Sequence, residues 1–170
     1  MSLLAFTTLA GHYSPGWALL GGLAGGVAFL AVVSMGLAVG MTRMNFLEIL
    51  GSMFAPSGSK STVYGIGLSV HLMMSAAFGL GHAALLHAIG VTSIGQATGW
   101  DLLIGAAHGM VILAVLPMLL TLMHPLVRNH AMDRPGVALT GFGSGTPIGS
   151  LMAHAAFGLV AGAIYAAALL

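Results

Sequence analysis

His71, His82, His108 and His154 stand inside long apolar stretches of a chain that carries eight histidines but only three carboxylates. An imidazole can pass a proton, ligate a metal or hold a haem iron. Polar side chains at membrane depth are costly enough to be read as functional candidates. His71 and His82 are eleven residues apart. That is close to three helical turns, so both share one helix face, about 16 Å apart along the axis. One helix thus offers an imidazole to each leaflet. Counting from the expected span ends places His82 level with His108, and His71 level with His154. Two layers of paired imidazoles are what two stacked b-type haems require. Gly79, Gly81, Gly105, Gly109 and Gly158 would leave room for flat macrocycles.

Asp101 and His108 lie seven residues, or two turns, apart and share a face of the third span. With His82 at a similar depth, they form a second candidate set. Two imidazoles and a carboxylate suit zinc or copper. The same histidines could instead relay protons. Each has a plainer role beside these. A lone membrane histidine can simply bond a carbonyl or serine on a neighbouring helix. Asp101 can serve as an N-cap or first-turn anion. His82 and His87, five apart, point away from each other, so they do not chelate together. His124 and His130 fall in a polar connection with Arg128, Asp133 and Arg134, a segment suited to meeting headgroups or a partner. His12 lies near the start of the chain. The placement of His71, His82, His108 and His154 resembles that of four-helix membrane cytochromes b. That resemblance covers histidine placement only and implies haem b and electron transfer.

The rest of the chain says what must hold these residues. It has four Lys or Arg and three Asp or Glu in 170 residues, and 58% of it is hydrophobic. Its mean hydropathy is +1.05. A soluble domain is about a quarter charged, so this chain is read as an integral membrane protein. Backbone groups in hydrocarbon must be satisfied internally, which leaves helices or a closed barrel. Long apolar runs without short-range alternation favour helices. A net charge of +1 excludes a nucleic-acid-binding surface, and the absence of cysteine excludes disulfides and thiolate metal sites. No paired carboxylates, G-x-S-x-G or H-E-x-x-H occur, so no catalytic activity of the chain on its own is expected.

The expected fold class is all-α, a transmembrane four-helix bundle in a single domain. The spans are placed at about 17–42, 62–89, 100–123 and 148–170. A short amphipathic interfacial helix is placed at about 44–54, followed by a turn at 55–61. Glycines in the first span fit close helix packing, and Pro117 is expected to kink the third. Residues 1–12 lack a basic n-region and read as a membrane-surface segment rather than a cleaved signal. His71-LMMSAAFGL and LMA-His154-AAFGL echo each other, which shared packing chemistry accounts for.

Arg43 and Lys60 fall in the first connection, Arg128 and Arg134 in the third, and no cation falls in the second. The positive-inside rule then puts both termini outside. Trp17 and Trp100 mark the outer interface. The segments MNFLEILGSMF, the His71 stretch, GAAHGMVILAVLPML and FGLVAGAIY resemble small bacterial four-helix membrane proteins, which implies the same topology and a bacterial inner membrane. The expected function is that of a small subunit of a larger membrane complex, packing it or supporting a cofactor. Its partners would be membrane lipids and other integral subunits or a second copy. The alternatives are a di-haem electron-transfer subunit and an outer-side copper, zinc or proton-relay site.

Overall fold

The computed structural model describes residues 13–170. The segment 1–12 and His12 lie outside the described residues. Helix α1 (Pro15–Ala38) opens with proline at its first turn, where the missing N–H costs nothing. It stops short of the expected Thr42 because Gly40 turns left-handed at φ +73°. There the Met41 N–H returns to the Gly36 carbonyl, 2.9 Å away. Thr42 instead pairs its hydroxyl with that of Thr146, 2.7 Å away in the interior.

Helix α2 (Phe46–Ser52) starts at Asn45, whose side chain accepts the Glu48 N–H. It does not lie alone in the interface. Ile49, Gly51 and Ser52 are buried, and Gly51 sits against the backbone of Val63 and Gly67. Helix α3 (Lys60–Ile89) is capped by Ser59 and ended by left-handed Gly90. Helix α4 (Ile94–Met123) begins well before the expected residue 100. Ser93 accepts the Gln96 N–H while the Gln96 side chain accepts the Thr92 N–H. This reciprocal cap starts the helix ahead of Gly95 and Gly99. The helix continues through Pro117.

The third connection is more than a polar tether. It holds α5 (Pro125–Arg128) and a 3-10 turn at Val137–Phe142, and it buries His124, Val127, Leu139 and Phe142. The segment closes one end of the bundle rather than only meeting headgroups. Arg43 reaches the Gly141 carbonyl and Asp133 across it, so the first and third connections share one end. Helix α6 (Thr146–Leu169) completes the fold.

The helices α1, α3, α4 and α6 are long and apolar enough to cross a membrane, and no strand occurs among the described residues. The chain is therefore an all-α, multi-pass four-helix membrane bundle. Around the bundle the order is α3, α1, α6, α4. Two glycine crossings set it. Gly22 of α1 meets Gly79 of α3 so closely that a side-chain carbon on either would strike the other's backbone. Gly105 of α4 meets the His154 carbonyl and Gly158 of α6 in the same way. The two Ala-Ala-Phe-Gly-Leu segments thus each supply a crossing glycine, to different partners. Helices α3 and α4 are much less closely packed. Side chains bridge their seam, and the candidate site lies there.

Candidate functional site: a buried histidine–aspartate file

Asp101 is fully buried. Because α4 starts at Ile94, Asp101 lies past the first turn, and Ser93 takes the cap instead. The carboxylate occupies space that Gly162 of α6 leaves free, since a side-chain carbon there would collide with it. His82 of α3 donates its Nδ1–H to Asp101 Oδ1 at 2.6 Å. Asp101 Oδ2 has no hydrogen-bond partner among the described residues. A charge-assisted bond this short, away from water, is among the stronger polar contacts a protein makes.

The His82 ring then meets the His108 ring, with centroids 5.7 Å apart, and the Phe157 ring at 5.0 Å. His108 in turn meets His154, with centroids 5.0 Å apart. His154 donates Nδ1–H to the Ser150 carbonyl at 2.7 Å. A carbonyl can only accept, so that bond fixes the His154 tautomer and leaves Nε2 with its lone pair outward. The Asp101 bond does the same for His82. His108 differs from both. Neither of its ring nitrogens has a partner among the described residues, although both are buried. Asp101, His82, His108 and His154 form one continuous file across α4, α3, α4 and α6.

His71 stands apart from this file. Its Nε2–H donates to the Gly26 carbonyl of α1 at 2.9 Å, with Ser75 Oγ 3.4 Å away. Phe29 touches both the His71 and the His154 rings, at 5.3 and 4.9 Å between centroids. The structure thus brings His154 against His108 rather than into a separate layer with His71. His87 bonds the Tyr165 hydroxyl at 2.8 Å, near Tyr13. His124 donates to the Ile49 carbonyl at 3.0 Å and ties α2 to the end of α4. His130 lies in the turn after α5, exposed.

Two axial imidazoles need a flat slot between them for a macrocycle. His82 and His108 are instead in direct ring contact, and Phe29 fills the space against both His71 and His154. The four histidines as placed do not fit two bis-imidazole haems. His82, Asp101 and His108 do not fit a three-ligand zinc or copper site either. Among the described residues no three His, Asp or Glu side chains converge as a metal would need. The His82 and Asp101 atoms closest to each other are already hydrogen-bonded together.

Beside the file lies a cavity of about 100 Å³ at the α3–α4 seam. Its walls include Phe29, Phe46, Phe78 and Phe157, with His108 and His154 among its polar lining. Phe78 stacks 4.3 Å from the His108 ring. The aromatic residues and Gly162 could not be singled out from the sequence. No family model matches this chain, and no curated protein or solved structure matches it.

Proposed function

We propose that the chain is a proton-transfer subunit of a bacterial inner-membrane complex, with Asp101, His82, His108 and His154 carrying the proton. The observation that carries this reading is the 2.6 Å His82–Asp101 bond at full burial, continued by ring contact through His108 to His154. An ionisable residue held at membrane depth is expensive, and its use in a relay accounts for that cost. Asp101 stabilises an imidazolium on His82. His108, the one member not tied to a fixed acceptor, can turn between its neighbours, with water or a ligand atom completing its bonds. Cations in the first and third connections support an orientation with those loops inside and both termini outside. Lipid-facing apolar side chains suit residence beside other integral subunits or a second copy.

Nitrogen-15 NMR of the histidine rings in lipid bilayers tests this. Exchange between protonated and unprotonated nitrogen is expected at Nε2 of His82 and His154 and at the ring nitrogens of His108. Static, single-tautomer signals are expected at His71 and His124. Static signals at all five would contradict the reading.

A further inference from the structure

We propose that the cavity at the α3–α4 seam binds the single-ring headgroup of a membrane-soluble quinone or quinol. Binding there goes beyond proton transfer by the file and does not depend on it. Three observations carry the assignment. The first is size. The cavity of about 100 Å³ falls below the ~300–1,000 Å³ of ordinary ligand pockets. It is near the ~150 Å³ that accepts one benzene ring. A macrocycle does not fit, and a six-membered ring does with small adjustment.

The second is chemistry. The walls include four phenylalanines and two methionines, and the phenyl rings can stack on a flat ring. Yet His108 carries two buried ring nitrogens with no partner among the described residues. A buried imidazole left unsatisfied is unfavourable, so the pocket is built for a polar atom that completes it. His108 lines the cavity from α4, and the Ser75 hydroxyl, itself 3.4 Å from His71 Nε2, lines it from α3. Polar groups reaching the cavity from two helices match oxygens on two edges of one ring. A plain acyl chain would leave His108 unsatisfied.

The third is access. Met74 and Phe78, at the edge of the cavity, are 41% and 38% exposed on the membrane-facing side of α3. The seam between α3 and α4 is the loosely packed one. A ligand therefore enters sideways from lipid and leaves its apolar tail between the helices.

The test uses the purified full chain in detergent, titrated by calorimetry with a 1,4-benzoquinone bearing one decyl tail and no other ring substituent. Decylbenzene, which has the ring and tail but no oxygens, is titrated in parallel. Saturable binding of one quinone per chain is expected, with decylbenzene at least about tenfold weaker. Ile112→Trp, which fills the cavity from α4, should abolish binding. His108→Leu should weaken it about tenfold. Circular dichroism and a monodisperse elution profile confirm that each variant folds. If a variant fails to fold, the comparison with decylbenzene on the wild-type chain still decides. Quinone uptake without saturation, equal binding of decylbenzene, undiminished binding by folded Ile112→Trp, or a haem absorption band in the purified protein would each overturn the assignment. No proton gradient enters the measurement, so its failure is separable from failure of the relay.

Discussion

His82 and Asp101, on helices whose backbones stay apart, are joined by a 2.6 Å hydrogen bond in which both side chains are buried. The bond is thus both a structural bridge across the α3–α4 seam and the first step of the file. Asp101→Ala would leave the His82 N–H without an acceptor. Such a loss costs about 1–3 kcal/mol. The unfolding midpoint in mixed micelles should fall accordingly. Asp101→Asn keeps an acceptor at the same place and should fall by less, while still losing the ionisable group.

The glycines should divide by what stands opposite them. Gly105→Ala would drive a methyl group into the His154 carbonyl and push α4 from α6. A cost of about 1–3 kcal/mol is expected from such overpacking. Gly81 has open space around the position of a side-chain carbon. Gly81→Ala should be neutral or stabilise by up to about 1 kcal/mol, through helix propensity. Parallel unfolding curves check the contrast, and equal losses at both positions would contradict the packing described.

His71 is a helix clamp in this account, because its N–H is committed to the Gly26 carbonyl. His71→Leu should cost about 1 kcal/mol, typical of a hydrogen bond between membrane helices. It should leave proton transfer intact. Loss of transfer with unchanged stability would move His71 into the relay.

The chain contains no cysteine, so single cysteines report orientation without background. Ser57→Cys and Asn129→Cys sit in exposed positions of the first and third connections, and Gly95→Cys at the opposite end. An impermeant maleimide applied to intact cells should label Gly95→Cys alone. Labelling of the other two would invert the orientation.

Much of the architecture could be read from the chain because composition leaves few choices. With almost no charge, the helices had to span lipid, and span centres follow from apolar runs. Ends were less certain because they depend on single local bonds. Gly40 stops α1 early, and the Ser93–Gln96 cap starts α4 early. The candidate residues were visible as polar groups at membrane depth. Their pairing was not. Spacing along one helix gives depth and face, but which imidazole meets which depends on how closely each helix pair approaches. Gly105 and Gly158 bring α6 so near α4 that His154 reaches His108. Phe29 then takes the space between His154 and His71 that a second layer would have used.

The most direct test of the account is proton flux into sealed liposomes that contain the purified chain and an internal pH dye. A potassium diffusion potential with valinomycin drives the flux. The account predicts acidification faster than in protein-free vesicles, returning to the lipid background in Asp101→Asn and in His108→Leu, and unchanged in His71→Leu. Flux in the wild-type vesicles no greater than through lipid alone, or flux that survives Asp101→Asn, would contradict it.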